Sequence, residues 1–186
     1  MDKETLAPLA VAAEQRRKIL HEAGERAHRM MADNAPLRDV LAHLASTAES
    51  LAQGTTVVSI LLVDKDGLLR NGASPNLPAD YLDAIDRLKP DANIGTCAAA
   101  AATGQVVITP SFYDDKRWSE LRHLPLALGF LGAWSQPIKS AGDRVLGTFG
   151  TYFREHRRPT YEEREAAGFL AAIAAVAIEA QAAVFT

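Results

Sequence analysis

The amino-acid sequence predicts an α+β sandwich, in which helices cover a single antiparallel sheet of about five strands. Two observations predict it. Five short segments rich in β-branched and apolar residues are mostly paired through tight turns, and helical segments stand before the first and after the last of them. The composition agrees, because 48% hydrophobic and 23% charged residues in a chain of 186 fit one soluble globular core with an appendage.

Two helices are predicted before the first strand. Residues 3–33 repeat small or apolar side chains in steps of three and four, at Leu6, Leu9, Ala13, Leu20, Ala23, Ala27 and Met30. Arg16 interrupts this seam, and Gly24 lies within it, so the helix would be marginal on its own. A stop at residues 33–36 precedes a second helix over 37–52, with its apolar face at Leu37, Leu41, Leu44, Ala48 and Leu51.

The first hairpin follows directly. Residues 55–63 (TTVVSILLV) form a nearly continuous apolar run, which is typical of a strand covered on both faces. Residues 64–67 (DKDG) predict a tight turn, because Gly67 tolerates the backbone conformation that such turns require. Residues 68–73 then return as a second strand.

The middle of the chain predicts short elements. A short helix is expected over 78–88, and a second, almost entirely of alanine, over 97–103. Residues 106–108 form a short buried strand, and residues 109–117 form a loop. This loop leads to a predicted helix at 118–128.

Two more strands and a long helix complete the sequence. Strands are predicted over 130–138 and 144–153, joined by a hairpin turn at 140–143. Thr160 and Glu163 have the spacing of a capping box, in which each side chain satisfies the other residue's free backbone N–H. The last helix carries a heptad of apolar residues at Ala166, Leu170, Ile173, Ala177, Ala180 and Val184.

Charge argues against two classes of partner. The net charge is −3 with no basic run, which indicates neither nucleic acid nor an anionic membrane surface as a partner. The longest uncharged stretch, residues 166–178, is shorter than the roughly 20 residues of a membrane-spanning helix. The polar, acidic first residues do not resemble a signal peptide. We therefore expect a soluble protein without a membrane partner.

Cys97 is the single cysteine. An intramolecular disulfide and a cysteine-rich zinc site are therefore excluded. One free thiol and no export signal favour a reducing cytoplasm as the location. The five histidines are never paired at metal-ligand spacing, so no metal site is expected.

Four segments together resemble the GAF domain of bacterial signalling proteins. They are VSILLVDKDGLLRNGASPNLPADYLDAIDRL (58–88), IGTCAAAAATGQVVI (94–108), AWSQPIKSAGDRVLGTFGTYFRE (133–155) and PTYEERE (159–165). Many GAF sensors carry a similar "AWS-PI, turn, RVLGTF-Y" pattern at the third of these segments. The resemblance extends from Leu37 to Ala180, and its order of elements agrees with the one predicted above.

The resemblance implies an architecture and a function. A central antiparallel sheet of five to six strands would carry the terminal helices on one face and a ligand pocket, closed by short helices and loops, on the other. Residues 1–34 would be a connector or dimerisation helix, and residues 35–186 the GAF domain. The implied function is that of a non-enzymatic sensor, which binds an unknown small molecule and signals to a separate output protein or to further domains of a longer chain. The helices at 37–51 and 166–184 would form a homodimer, or they would only cover their own sheet.

The resemblance also gives candidate ligand-binding residues at two places. Thr96 and Cys97 begin a short helix, where backbone N–H groups would lower the pKa of the thiol; the alternative is that Cys97 is a small buried residue. Trp118, Arg122 and His123 lie on the segment that would cover the pocket. An aromatic wall and a guanidinium suit a planar or anionic ligand. The alternative is that Trp118 anchors this segment to the core while Arg122 is solvated.

A third group of candidates lies on the last two strands. Trp134 is on one strand, and Phe149 and Thr151 are on the next. Alternation places Phe149 and Thr151 on one face of the sheet and Tyr152 on the other. Which face lines the pocket stays open at this stage, and these aromatics could equally belong to the core.

The sequence gives little support for the cofactors that relatives in this family bind. Arg122 stands where bilin-binding relatives have the cysteine that precedes the histidine, which argues against a covalent bilin at His123. A single histidine without other support argues against heme, and the acidic motif of the cyclic-nucleotide-binding relatives is absent. Two alternatives to a sensor stay open: a free methionine sulfoxide reductase in which an external thiol resolves Cys97, and a ligand-free scaffold plugged by Trp118, Trp134 and Phe149.

Overall fold

The computed structural model describes the backbone of residues 3–184 and the side chains of residues 11–181. At its centre is an antiparallel sheet with the strand order β2-β1-β5-β4-β3. Its strands are β1 (Thr56–Val63), β2 (Leu69–Ala73), β3 (Val107–Thr109), β4 (Gly132–Lys139) and β5 (Val145–Phe153). Leu88 adds an isolated antiparallel bridge to Leu69 at the β2 edge. The predicted α+β fold with one antiparallel sheet is confirmed.

The helices divide between the two faces of the sheet. The long ones, α1 (Lys3–Ala32), α2 (Leu37–Leu51) and α6 (Tyr161–Val184), form a helix layer on one face. The other face carries the lid layer, which is made of short helices and the loops around them. These short helices are α3 (Ala79–Ala84), α4 (Cys97–Thr103), a 3-10 helix (Lys116–Trp118) and α5 (His123–Ala127).

Strand register sets which residues share a position across the sheet. Thr151 on β5 pairs with Val58 on β1 and with Trp134 on β4. The next row pairs Gly150 with Ser59 and Ser135. Since successive residues point to opposite faces, the side chains of the first row face the helix layer and those of the second row face the lid layer.

Two helices of the layer approach each other closely at a glycine. A Cβ atom on Gly24 of α1 would lie 3.3 Å from Cδ1 of Ile173 on α6. The glycine within the predicted seam therefore has a packing reason. Along the seam Leu20, Ala23 and Ala27 are buried as predicted, whereas the side chains of Leu6 and Leu9 lie outside the described residues.

The seams predicted for dimerisation are used within the chain. Leu41 and Leu44 of α2, and Leu170 and Ile173 of α6, are buried against the chain's own sheet and helices. The predicted seam residue Ala180 is exposed, as are the apolar positions Phe169, Ala172 and Val176 outside the seam, while the side chain of Val184 lies outside the described residues. The buried part of these two seams is therefore not free to contact a second copy of the chain.

One predicted helix is replaced by two shorter elements. Residues 118–128 were expected to form a single helix, but the structure has the 3-10 turn ending at Trp118 and α5 beginning at His123. Pro125 explains the break, because it has no N–H for a hydrogen bond to Leu121 and is tolerated only in the first turn of a helix. The helix predicted over 78–88 is also shorter, ending at Ala84.

Across the described residues, no helix is both long enough and apolar enough to cross a membrane.

Candidate functional site

Cys97 lies at the centre of the lid layer, against the middle of the sheet. It begins α4, and its Sγ is 3.6 Å from Oγ of Ser135 on β4, which donates a hydrogen bond to it. Gly95, just before α4, has a φ of +54° and donates its N–H to the carbonyl oxygen of Arg117 at 2.8 Å. This bond ties the start of α4 to the lid segment that follows β3.

Burial determines the chemistry of this thiol. Cys97 is 8% exposed, and burial raises the pKa of its thiol, although the hydroxyls of Ser135, Thr148 and Thr96 act in the opposite direction. The expectation that the start of the helix would lower this pKa is therefore wrong, because loss of water outweighs the short helix. Of the two interpretations left open, the small buried residue is the one that the structure supports.

Trp118 anchors the lid layer to the core. It is 4% exposed and packs on Phe112, with 4.4 Å between ring centroids. Just before it, the carboxylate of Asp115 accepts hydrogen bonds from the Arg117 guanidinium at 2.6 Å and from the Thr109 hydroxyl at 2.6 Å. Burial acts to raise the pKa of Asp115, but these bonds prevail and hold it below its ordinary value.

Two tyrosines close the other end of the lid layer. The hydroxyl of Tyr81 on α3 donates to that of Tyr152 on β5 at 2.9 Å, and the rings meet edge to face. Burial raises the pKa of both phenols, so the pair is neutral at ordinary pH. Tyr152 is a lid-layer residue that the sequence placed on the face opposite Phe149, as the structure shows.

Three buried polar atoms of the described side chains have no hydrogen-bond partner of normal geometry. They are Nε1 of Trp118, Oγ1 of Thr148 and Nε1 of Trp134. The first two belong to the lid layer, since Thr148 lies near the Cys97 thiol and Trp118 packs beside Gly95. A buried donor without an acceptor costs about 1–3 kcal/mol, so each of these atoms is a position that an ordered water or a ligand atom would stabilise.

Two candidate residues of the lid segment face solvent. Arg122 is exposed and donates to the carbonyl oxygen of Tyr113 at 3.3 Å, and His123 is exposed at the start of α5. They lie on the outer surface, apart from Thr96, Cys97 and Trp118, which are buried together beneath it. The predicted combination of an aromatic wall with a guanidinium inside one pocket is therefore not formed in this structure.

The remaining candidates lie on the opposite face of the sheet. Trp134, Phe149 and Thr151 point into the helix layer, so they do not share a pocket with Cys97. They line a cavity of about 410 Å³, here called the helix-side cavity, between the sheet and the ends of α2 and α6. Its wall consists of Arg16, Ala48, Leu51, Ala52, Gln53, Thr55, Thr56, Val58, Trp134, Phe149, Thr151, Thr160, Glu162, Glu163, Ala166 and Ala167.

Glu49 is a buried polar residue that the sequence analysis missed. It is 7% exposed on α2, and its carboxylate accepts a hydrogen bond from the backbone N–H of Val58 at 2.8 Å and one from the Asn76 side chain. It thus fixes the end of α2 to β1 and to the loop after β2. Its position one residue after the seam residue Ala48 was the only available signal.

A metal centre has no ligand set in the described part of the chain, where no group of three or more His, Cys, Asp or Glu side chains is arranged to hold an ion.

Comparisons with known proteins agree with this architecture. A sequence profile of the GAF domain matches residues 34–179. The methyl sulfide methyltransferase-associated sensor of Methanosarcina acetivorans is 36% identical over 149 residues, which are 80% of this chain and 15% of that protein. This chain therefore spans only a small part of the length of that relative.

Solved structures with the same fold are more distant in sequence. The GAF domain of a phosphoenolpyruvate-protein phosphotransferase from Coxiella burnetii has a TM-score of 0.73 at 18% identity, covering 94% of this chain and 99% of that one. The free methionine-R-sulfoxide reductase of Neisseria meningitidis, solved with its substrate, has a TM-score of 0.69 at 18% identity, covering 91% of each chain. At these identities the likeness concerns the fold alone.

Proposed function

Since this chain belongs to the GAF domain family, we propose that it is a non-enzymatic sensory module that binds a small molecule beneath the lid layer and signals through its terminal helices. Its 36% identical relative is named a sensor, which favours a regulatory role. The lid-layer site consists of Thr96, Cys97, Thr148 and Trp118.

The unpartnered polar atoms of the lid layer carry this proposal. Trp118 Nε1 can donate one hydrogen bond, and Thr148 Oγ1 can donate and accept. Both are buried without a hydrogen-bond partner of normal geometry, and the group near the Thr148 hydroxyl is the Cys97 thiol, which is a weak partner. A ligand with polar atoms at matching positions would remove both costs. Entry requires the lid segment to move, and Trp118 is the residue that holds it to the core.

The sheet connects this site to the helix layer. Ser135 hydrogen-bonds the Cys97 thiol on one face of β4, and its neighbour Trp134 packs into the helix layer on the other face. A ligand that displaces α4 or tilts β4 would therefore shift Trp134 beneath α6. Interfaces packed this closely switch between discrete arrangements, so a small shift can change how the helices pack.

The helices would transmit this change through a second copy of the chain. On α6 Phe169 is 43% exposed and Val176 is 51% exposed, and Ala172 lies between them on the same face. Spacings of three and four residues make these a continuous apolar stripe, here called the α6 stripe. The equivalent stripe of another copy is its natural complement in a two-fold dimer.

The state of Cys97 argues against a thiol-dependent reaction. A nucleophilic cysteine requires a thiolate that substrate can reach, whereas this thiol is buried and its pKa is raised. No second cysteine is present to resolve an oxidised intermediate. The site is therefore better suited to binding than to turnover.

A thermal-shift screen against a metabolite panel, combined with native mass spectrometry of the freshly purified chain, tests this function. At 100-fold excess over its dissociation constant a ligand adds about 2.7 kcal/mol, or roughly 5–10 °C in Tm for a chain of this size. We expect Trp118→Phe to reduce the effect of such a ligand and Trp134→Phe, on the other face, to leave it unchanged. A panel without any stabilising compound, together with a spectrum without a retained ligand, would favour the scaffold instead. A ligand insensitive to Trp118→Phe would refute the lid-layer site.

A further inference from the structure

The loop between β5 and α6, residues 154–160, is tied to the lid layer by Arg154. Nη1 of this arginine donates a hydrogen bond to the carbonyl oxygen of Leu128, at the end of α5, at 2.7 Å. Its guanidinium also lies 4.7 Å from the centroid of the Phe130 ring, which belongs to the lid layer. Gly129 leaves room for the guanidinium, because a Cβ atom at this position would lie 2.9 Å from Nη1.

The same loop contacts the lid segment at a second place, through an aromatic pair. The ring of His156 lies 6.3 Å from the ring of the exposed Tyr113, which is an ordinary separation for such a pair. The carbonyl oxygen of Tyr113 accepts a hydrogen bond from Nη1 of Arg122 at 3.3 Å, just before α5. The loop is therefore joined to the lid segment both before and after α5.

The other end of the loop is fixed to α6. Arg157 donates two hydrogen bonds of 2.8 Å to the carboxylate of Glu163, in the first turn of α6. The same carboxylate accepts the backbone N–H of Thr160 at 2.8 Å, so Arg157 and the capping box share one acceptor. The guanidinium of Arg157 also lies 4.0 Å from the centroid of the Phe153 ring, which is buried in the helix layer.

The two arginines of the loop thus hold opposite layers of the protein. Arg154 contacts the lid layer and Arg157 contacts the helix layer, and only Glu155 and His156 separate them. Each residue of an extended chain spans at most about 3.6 Å, so this segment has little slack. A displacement of α5 away from the sheet must therefore either break the Arg154 contacts or pull on Arg157. A pull on Arg157 acts on the carboxylate that caps α6.

We propose that the β5–α6 loop couples the lid segment directly to the first turn of α6. Movement of the lid then loosens or tightens the start of α6 without any movement of the sheet. This route deepens the proposed function, on which its role in signalling rests, but the contacts that form it are present in the ligand-free chain. Coupling between two elements is reciprocal, so loosening the start of α6 must also loosen the lid segment.

Amide hydrogen exchange of the ligand-free chain, followed by NMR, tests this coupling because it reports the opening of each segment separately. Four hydrogen-bonded amides are the readout. They are those of Glu163 and Arg164 at the start of α6, and those of Arg122 and Leu126 in the lid segment.

Arg154→Gln removes the stronger lid contact of the loop. We expect the protection factors to fall by about threefold or more in the lid segment and also at Glu163 and Arg164, as the loss of one hydrogen bond of ordinary strength would produce. Arg158→Gln, at an exposed position of the same loop, is the control and should change neither pair of amides. Unchanged protection of Glu163 and Arg164 in Arg154→Gln would overturn the proposal, and so would an equal effect of Arg158→Gln.

Glu163→Gln tests the reciprocal direction. It removes the charge that holds Arg157, and we expect the protection of Arg122 and Leu126 to fall by a similar factor. Glu162→Gln neutralises the adjacent carboxylate and is the matched control, because Arg157 is paired with Glu155 and Glu163. A lid segment that does not respond to Glu163→Gln, or that responds equally to Glu162→Gln, would contradict the coupling.

The double variant separates coupling from a general loss of stability. In the Arg154→Gln background, Glu163→Gln should lower the protection of the lid segment much less, because the main connection is already broken. Additive effects of the two substitutions would refute the proposal. None of these measurements involves a ligand, so a failure of the coupling is distinguishable from a failure of the lid-layer site.

Discussion

The thiol of Cys97 lies so close to the backbone of Gly150 that a Cβ atom at position 150 would be 2.7 Å from Sγ. The φ of Gly150 is not in the left-handed region, so the close contact rather than the backbone conformation requires glycine here. This contact between Cys97 and Gly150 sets the distance at which α4 packs on the centre of the sheet. It also explains why a cysteine, which is small and apolar enough for this gap, is found at position 97.

Adding a methyl group at Gly150 should destabilise the fold through this contact alone. We expect Gly150→Ala to cost about 1–3 kcal/mol of unfolding free energy, as overpacking of a core does. Most of that loss should disappear when Cys97→Ala is introduced in the same chain, because Sγ is then absent. Urea unfolding of the four chains measures the coupling. Equal losses in both backgrounds would show that the Ser59 carbonyl oxygen, 3.3 Å away, or another contact is responsible.

The buried thiol should make stability depend on alkaline pH. Burial raises the pKa of Cys97 in the folded chain above its ordinary value of 9.0, so folding favours the protonated form. This contribution is complete below pH 9.0 and is lost as pH rises above it, where the unfolded chain releases the proton first. We expect the wild type to lose more stability than Cys97→Ala between about pH 9 and pH 10. Tyr81 and Tyr152, with an ordinary pKa of 10.0 that burial raises, begin to contribute in the same range, but they are present in both chains, so their contribution cancels in the comparison. Parallel pH profiles of the two chains would contradict the assignment.

For the same reason, we expect Cys97 of the folded chain to react slowly with iodoacetamide at pH 8, because the thiol is buried and protonated. In urea, where the chain is unfolded, it should react at the rate of a free thiol.

The carboxylate of Asp115 should be the main polar tie of the lid segment. Asp115→Asn removes the charge that binds Arg117 while keeping the size of the side chain, and we expect a loss of about 1–3 kcal/mol. The wild-type contribution is present above the ordinary pKa of 3.8 and is lost as pH falls below it, because the folded pKa is lowered. Asp114→Asn, at an exposed neighbouring position, is the control. Similar losses in the two variants would mean that the bonds to Arg117 and Thr109 contribute little.

Local patterns predicted the elements of this fold because the interactions that form them are local. The capping box is an example: Thr160 Oγ1 accepts the Glu163 N–H at 3.1 Å, and Glu163 accepts the Thr160 N–H at 2.8 Å. The alternation along β5 likewise separated Phe149 from Tyr152 correctly. Both inferences need only residues within a few positions of each other.

The candidate site could be predicted only in part because its composition depends on contacts distant in the sequence. The alternation of side chains along a strand predicts that Trp134 and Ser135 point to opposite faces of the sheet. Which of the two contacts Cys97 depends on the face against which α4 packs. Glu49 was missed for the same reason, since its partners Val58 and Asn76 are brought to it only by the fold. Exposure of Arg122 and His123 follows from the break in the predicted helix before α5, a consequence of Pro125 that the apolar spacing did not reveal.

The α6 stripe should control association of two copies of the chain. Polar replacement of its two largest members, Phe169→Ser together with Val176→Ser, removes apolar area at positions that are about half exposed. Phe169 also lies beside Gly24 of α1, so the double variant should lose some stability as well as the dimer contact. We expect the wild type to sediment as a dimer and the double variant as a monomer, with circular dichroism unchanged. Tyr161→Ser, which replaces a 76% exposed aromatic residue at the start of the same helix, is the control and should leave the dimer intact. A monomeric wild type would refute the proposed route through a second copy, and a dimeric double variant would place the contact on another surface, such as the exposed Val11 region of α1.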